Sequence, residues 1–397
     1  MRQGSPLKIA VVAGEESGDL LGADIIRALQ SEHGATELTG VGGPHLEALG
    51  LSSLFDAQDI ALIGIGAIVK DLPRLIWRIS RTARDIVAAK PDCLITIDSP
   101  EFSLRVAKKV RALAPEIPII HYVCPTVWAW RPGRAPAMKP YVDHILCVLP
   151  FEVDVLARLD GPPGTYVGHR LTHEKGVQTA ALMQAQKSTP LPRDEKKLLV
   201  LPGSRRSEAS ALIGFFGEAV ASLYKRGHRM KVFLPTVEHL APLVRAATEN
   251  WVVKPEITTD PESKWRAFGE ADAAMIASGT VSLELALAGV PMYSCYALDP
   301  LTKLAVGLLT TWSALLPNVI ADRPIVTEVY ERYIRAETIV RHMEALFDDT
   351  ELRAWQKAGF SEVVRRMATE RPSGEISAEV VKQVIADKKR GAKPLSL

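Results

Sequence analysis

The feature that most constrains this chain is an alternation that breaks once and begins again. Short apolar runs rich in β-branched residues are each followed by an amphipathic stretch, the pattern of a parallel sheet wound by helices. In the first half it predicts strands at Lys8–Ala13, Glu37–Val41, Cys93–Ile97, Ile117–Tyr122 and His144–Val148. Helices are predicted at Asp19–Ser31, Pro73–Ala89, Glu101–Ala114 and Phe151–Leu159. The polar stretch Arg170–Lys196, with Gly176, Pro190 and Pro192, reads as a linker. Strands then return at Leu198–Leu201, Met230–Leu234 and Ala273–Ile276, with helices at Ser207–Arg226, Glu238–Asn250 and Val281–Ala288. The tail after Ala336 is helical in pattern. The expected fold class is α/β, with two Rossmann-like, doubly wound halves facing across a cleft and a helical C-terminal tail. Residues 1–170, completed by C-terminal helices within 350–397, would form one domain and residues 190–349 the other. Ligands of such sheets bind at the carboxyl ends of the strands.

Composition narrows the functional classes. Of 397 residues, 47% are hydrophobic and 24% charged, which excludes a disordered or fibrous chain. Forty-eight Lys+Arg against 46 Asp+Glu leave +2, too balanced for bulk charge to announce nucleic acid. The four cysteines (Cys93, Cys124, Cys147, Cys295) form no C-x-x-C pair and suit buried thiols in a reducing compartment. Met1–Pro6 is polar and the apolar run behind it is too short for a signal peptide. Ile60–Val69 is too short to span a bilayer, and Leu304–Ala321 is interrupted by Thr310, Thr311, Ser313, Pro317 and Asn318. The expectation is a cytoplasmic protein.

The second half holds two strand-to-helix turns of phosphate-binding type. In Leu201-Pro-Gly-Ser-Arg205, Gly203 lets backbone approach a ligand, Ser204 offers a hydroxyl and Arg205 a guanidinium fork for a diphosphate. In Ala277-Ser-Gly-Thr280, Ser278, Gly279 and Thr280 open the next helix. Glu284, one turn in, either complements the helix dipole or accepts from ribose hydroxyls. There is no G-x-G-x-x-G and no P-loop lysine, against dinucleotides and NTP hydrolysis. The first half opens with Gly14-Glu-Glu-Ser-Gly-Asp19, where Glu15, Glu16 and Asp19 would repel a phosphate and, with Ser17 and Gly18, suit hydroxyl-rich sugar groups; N-terminal helix charge explains one or two of the three acids but hardly all. Asp98, at the end of its strand, is either a general base or a cap of the helix near Glu101. No zinc-ligand spacing or Asp-x-Asp occurs, so neither metal nor other cofactor is required.

One stretch is chemically unusual. Ile60, Leu62, Ile63, Ile65, Ile68 and Val69 lead into Lys70, Arg74, Arg78, Arg81 and Arg84, whose spacing puts five cations on one helix face. Leu72, Leu75, Ile76, Ile79 and Ile86 are expected opposite them. A solvated basic face is the plain reading; an anionic membrane surface beside an acyl-chain groove explains the apolar run as well. Trp128 and Trp130, near Arg131, Arg134 and Lys139, are either core or an amphipathic wall; stacking on single-stranded nucleic acid is a third reading, for which two tryptophans are thin support.

Taken in order, Ala13–Asp19, Ile97–Phe102, Pro125–Arg131, Leu149–Glu152, Val167–His169, Leu201–Arg205, Ala277–Thr280 and Leu316–Asn318 resemble the lipid-A-disaccharide synthase family, from about Lys8 to Tyr330. The resemblance implies a metal-independent GT-B glycosyltransferase on the cytoplasmic face of the inner membrane. It would transfer 2,3-diacylglucosamine from UDP to the 6-hydroxyl of 2,3-diacylglucosamine 1-phosphate (lipid X), with inversion, giving the β-1,6 lipid A disaccharide 1-phosphate. It further implies a homodimer exchanging C-terminal segments, Asp98 as base, UDP contacts from Arg205, Glu284 and Asn318, and functional weight on Glu15 and Glu16. Residues 302–316 lack the family's basic and aromatic character, and Asp322 stands where glycine is common. The alternatives are another UDP-sugar enzyme of the same fold, an epimerase or muramyl-type transferase, or a silent sugar-nucleotide or lipid-binding protein.

Overall fold

A computed structural model describes residues 6–57, 68–187, 195–277, 279–297, 309–331, 334–348 and 350–391, with backbone alone for residues 33, 68–72, 297 and 331. The chain divides into two compact units, one formed by 1–170 with 369–397 and the other by 171–368.

The first unit is built on a six-stranded, all-parallel sheet. Its strands are β1 (Leu7–Ala13), β2 (Thr36–Val41), β3 (Cys93–Ile97), β4 (Ile119–Tyr122), β5 (His144–Cys147) and β6 (Gly164–Tyr166), in the order β2-β1-β3-β4-β5-β6. β3, β4 and β5 are buried at every position, as expected where helices cover both faces of a parallel sheet. Ala10, Val12 and Leu94 meet Ile79, Ile86, Phe102 and Val106 from the flanking helices Ile68–Ala89 and Pro100–Leu113. The order reverses between β1 and β3, so a crevice is expected beyond the ends of those two strands.

The second unit repeats the scheme with β7 (Lys196–Leu201), β8 (Met230–Pro235), β9 (Glu256–Thr258), β10 (Ala273–Ile276), β11 (Met292–Ala297) and β12 (Glu328–Glu331), ordered β12-β11-β10-β7-β8-β9 and again all parallel. Its reversal lies between β7 and β10. The core joins Val200, Met275 and Tyr293 to Phe216 and Val220 of helix Arg206–Lys225 and to Met343 and Phe347 of helix Ala336–Phe347.

Several elements depart from the sequence reading. The stretch expected as a linker is in large part a helix, Lys175–Ala185, packed against helix Pro261–Glu270. Gly176 lies so close to the Trp265 indole that a Cβ would be 2.0 Å from it. The glycine is there for contact, not flexibility. β6 and β9 are three-residue edges without a readable pattern, and β11 and β12 were also unforeseen. The helix Glu351–Met367 belongs to the second unit: Gln356 exchanges two 2.8 Å hydrogen bonds with the Met292 backbone, and Arg353 donates to Asp272 O at 2.6 Å. The return to the first unit therefore comes after Ala368, later than the expected 350. Helix Ser373–Arg390 then packs on helix Glu16–His33, with Gly374 allowing its start to sit against the Asp24 backbone. Asp322 takes φ +53 as the C-cap of helix Leu316–Ala321, a left-handed position that accounts for a preference for glycine there.

Candidate functional site

At the first sheet's reversal, β1 and β3 run in register with Ala13 beside Ile97, so the residues that follow emerge side by side. Asp98 and Ser99 both have positive φ, +46 and +42, an uncommon conformation for non-glycine residues that surrounding structure must hold in place. The Asp98 N–H donates to Tyr122 O at 3.0 Å, and the Ser103 hydroxyl donates to the Asp98 carbonyl. Asp98 does not cap the helix at Pro100: Ser99 is the N-cap residue and no side chain caps it. The Asp98 carboxylate accepts only the neighbouring Ser99 N–H at 2.8 Å among the hydrogen bonds found. Burial pushes its pKa above the ordinary aspartate value, and that Ser99 bond pulls back only part of the way.

Ser99 also donates to Glu15 Oε1 at 3.3 Å, which ties the turn after β1 to the turn after β3. Glu15, Glu16 and Ser17 are exposed, while Gly18 is buried with Ile97 and Ala13 close to its Cα. Asp19 overturns its expected role. It is buried, and its carboxylate accepts from Gly43 N at 2.7 Å, His45 N at 2.8 Å and Leu46 N at 3.2 Å. It satisfies the amides at the start of the helical turn Pro44–Glu47 and is committed to the fold rather than to a substrate.

At the second reversal a cavity of about 460 Å³ lies beyond β7 and β10, a volume within the range of small-molecule sites. Gly203, Ser204, Arg205, Gly279, Thr280 and Glu284 all line it; Ser278 lies outside the described residues. Gly203 has φ +115, and a Cβ there would stand 2.8 Å from Glu208. Arg205 is highly exposed, at 81%, and pairs with Glu208 at 3.3 Å. Glu284 has a partner besides the helix dipole: Lys264 Nζ binds its Oε2 at 2.7 Å. Lys264 also sits 4.5 Å from the centre of the Trp265 ring, so the carboxylate is held by a cation that an indole in turn supports. Thr236 Oγ1 is buried on the wall with no hydrogen-bond partner, the kind of unmet polar atom that a ligand satisfies.

Lys264, Trp265, Thr236 and Glu208 were missed by sequence reasoning. The signal for the first two was Asp260-Pro261, an N-cap followed by proline at the first helical position; Asp260 accepts from Ser263 N at 2.7 Å. Asn318 is a second correction. Its amide is buried and fully used, donating to Ser313 Oγ and Val326 O and accepting from Ile325 N and Val326 N. No donor or acceptor remains for a nucleotide.

The basic helix is also redrawn. Ile60, Leu62, Ile63 and Ile65 lie outside the described residues, and Ile68, Val69 and Lys70 are known only as helical backbone. Arg74, Arg81 and Arg84 are exposed, but Arg78 is 8% exposed and covers the Phe55 ring at 4.9 Å, so it leaves the solvated face. Ile76 and Trp77 move onto that face, 50% and 55% exposed. The two tryptophans of the Pro125–Arg131 motif part company. Trp128 packs edge-on against Phe151 at 5.3 Å, while Trp130 is 43% exposed under Arg131. Among the described residues one potential metal-ligand trio occurs, Cys124, Cys147 and Glu152, all buried. Burial lifts Glu152 to about 8, and a hydrogen bond with Cys124 together with burial lifts the Cys147 thiol well above its usual value, so at neutral pH these two groups hold their protons. No described helix is long and apolar enough to cross a membrane.

The fold is shared with solved structures. A UDP co-structure of Staphylococcus aureus MnaA superposes with TM-score 0.60 at 13% identity, covering 98% of this chain and 100% of that one. MurG of Acinetobacter baumannii gives 0.57 at 14% identity, covering 95% and 100%. Sequence relationships are much closer. Lipid-A-disaccharide synthase of Nitrobacter hamburgensis is 41% identical over 380 residues, 95% of each chain. That of Rhodopseudomonas palustris strain BisB18 is 42% identical over 366 residues, 91% of each. The family profile described as lipid-A-disaccharide synthetase matches residues 9–381. Two all-parallel sheets, each with candidate site residues at its reversal, are thus matched by sequence over nearly the whole length, and the chain belongs to the lipid-A-disaccharide synthase family of GT-B hexosyltransferases.

Proposed function

We propose that the chain transfers 2,3-diacylglucosamine from its UDP carrier to the 6-hydroxyl of 2,3-diacylglucosamine 1-phosphate, with inversion at the anomeric carbon. The observation that carries this reading is the Asp98 carboxylate: at the sheet reversal, on constrained backbone, without the capping role that would otherwise explain it. Asp98 takes the proton of the 6-hydroxyl as that oxygen bonds to the anomeric carbon. The bond from that carbon to the diphosphate breaks, and its electron pair leaves with UDP. A base with a raised pKa is better matched to this work at neutral pH than an ordinary aspartate. Glu15 steadies the turn through Ser99.

The nucleotide occupies the cavity beyond β7 and β10. Glu284 receives the ribose hydroxyls, Thr236 supplies a further polar contact, and Arg205 leaves Glu208 to pair with the diphosphate. Arg205 and the backbone N–H groups after Gly203 and Gly279 stabilise charge growing on the departing UDP. The exposed Trp77 and Ile76, with Arg74, Arg81 and Arg84, rest on an anionic membrane surface from which the acylated substrates are drawn. A homodimer made by exchange of C-terminal segments would hand over helix Ser373–Arg390.

The test is a detergent assay with UDP-2,3-diacylglucosamine and lipid X, with and without EDTA, following UDP and disaccharide by mass spectrometry. Disaccharide in EDTA is expected. UDP release without disaccharide would give the acceptor another identity, and epimerised sugar nucleotide would favour the related UDP-sugar chemistry.

A further inference from the structure

The Pro125–Arg131 motif is not used by the transfer chemistry above, yet it builds a charged cluster beside Asp98. Glu101 lies three residues beyond Asp98, in the first turn of helix Pro100–Leu113. Its carboxylate is approached by Arg105 at 3.3 Å, by Arg131 at 3.6 Å and by Arg134 in a direct ion pair. Three guanidinium groups thus share one carboxylate. Arg131 is placed with care: its backbone has φ +52, and its guanidinium lies 4.2 Å over the exposed Trp130 ring, an arrangement that fixes the plane of the fork. Behind Arg134, the ring of His121 is fully buried and kept neutral, burial and then Arg134 pushing its pKa down to about 3. His121 therefore adds no charge that would compete with Arg134 for an anion.

A lone surface ion pair needs one arginine; this carboxylate has three, and its side chain remains exposed to displacement. Guanidinium forks match the oxygens of a phosphate, and a phosphate monoester carries more charge than the carboxylate it would replace. Three residues of chain reach at most about 11 Å, so the Glu101 Cα stands no farther than that from the Asp98 Cα, a span comparable to one sugar ring and its substituent. We propose that Arg131 and Arg134 form the subsite for the phosphate monoester on the acceptor sugar, with Glu101 as the counter-ion that the phosphate displaces. The inference rests on the acceptor assignment above and assigns its recognition: Asp98 meets the hydroxyl at one end of the ring, and the two arginines meet the phosphate at the other.

The test compares two acceptors, lipid X and the methyl glycoside of 2,3-diacylglucosamine, which lacks the phosphate. For the variant carrying both Arg131→Ala and Arg134→Ala, KM for lipid X is expected to rise about 30-fold. Its KM for the UDP-sugar and its kcat/KM for the methyl glycoside are expected to stay within about threefold of wild type. Glu101→Gln, which releases the arginines, is expected to lower KM for lipid X by a fewfold. Equal loss with both acceptors, or an unchanged KM for lipid X, would overturn the proposal. So would loss of binding to anionic phosphatidylglycerol vesicles without discrimination between acceptors, which would assign the arginines to lipid headgroups instead. A second readout is independent of turnover. The 31P resonance of D-glucosamine 1-phosphate is expected to broaden with the wild-type protein and not with the double variant. No broadening with wild type, or the same with both, would also sink the idea. If wild type transfers to neither acceptor, the functional reading has failed, and the 31P comparison still decides the subsite.

Discussion

The two sheet reversals are the same topological device given opposite chemistry. At the first, the turns after β1 and β3 carry Glu15, Glu16 and Asp98, and positive φ falls on two consecutive non-glycine residues. At the second, the turns after β7 and β10 place positive φ on Gly203 and Gly279, and the cations Arg205 and Lys264 line the cavity together with Glu208, Asp260 and Glu284. Glycine turns expose amide groups at no steric cost and suit an anion that must be approached by backbone. Non-glycine residues in the same conformation are held under strain, and what they hold is a side chain in a fixed direction. The comparison teaches that topology fixes where a ligand goes, while the turn residues decide whether backbone or side chain will meet it.

The sharpest way to break the comparison is Asp98→Asn. Asparagine tolerates the left-handed conformation, so the turn should survive without its base. Turnover is expected to fall about 10³-fold, while UDP binding by calorimetry stays within twofold. Normal turnover would remove Asp98 as base. In the wild type, the raised pKa moves the acidic limb of kcat/KM above the ordinary aspartate value. The linkage has a definite sign. Between the unfolded and folded pKa the native state binds more protons, so this group's contribution to stability declines as pH rises through that window. Asp98→Asn should therefore lose activity and gain thermal stability at pH 7, with the gain vanishing at a pH below the unfolded pKa. A drop in Tm at pH 7 would contradict the strained, desolvated account.

Asp19→Ala should give the converse result in the same unit. Three backbone N–H groups lose their shared acceptor, which is expected to cost about 3 kcal/mol in urea unfolding. Residual activity per folded molecule should change little. A specific loss of kcat at full stability would restore Asp19 to the substrate site.

These two aspartates show what the sequence could and could not carry. The positions of Asp98 and Gly203 were legible because each follows a strand and precedes a helix, so a few consecutive residues fix where it stands. Asp19 and Asn318 sit in equally suggestive motifs. Their hydrogen-bonding capacity is spent on backbone brought close only by folding: Gly43 to Leu46 for one, Ile325 and Val326 for the other. Arg78 fits a five-cation stripe by spacing until Phe55 covers it. Lys264 was hidden for the opposite reason, since nothing local to residue 264 indicates that Glu284 waits twenty residues on. The alternation of the two sheets was readable at β1 to β5, β7, β8 and β10; it failed at the three-residue edges β6 and β9, at the edge β12, and at β11, an interior strand whose residues Met292–Ala297 include no β-branched side chain.

In the second unit the comparison sharpens through Lys264. Lys264→Met keeps most of the aliphatic packing on Trp265 and removes the charge that holds Glu284. UDP affinity should fall about tenfold, with the effect absent in a Glu284→Gln background, because the pair acts as one. Additive losses in the two variants would separate Lys264 from Glu284 and leave the carboxylate to the helix dipole alone.

The smallest effect is expected on the helix Ile68–Ala89, the element proposed above to rest on the membrane surface. Replacing Arg74, Arg81 and Arg84 with Ser removes the exposed cations and leaves Arg78 on Phe55, so the fold should be untouched. Binding to phosphatidylglycerol vesicles should weaken fewfold at low salt and converge with wild type as salt rises, since exposed charges act within a Debye length of about 8 Å at physiological ionic strength. Trp77→Ser should weaken binding equally at every salt concentration, because burial of an indole in the interface is not screened. Unchanged partitioning of both variants would reduce the helix to a solvated surface. A salt-independent loss in the arginine variant would mean that those side chains bind through their aliphatic stems rather than their charge.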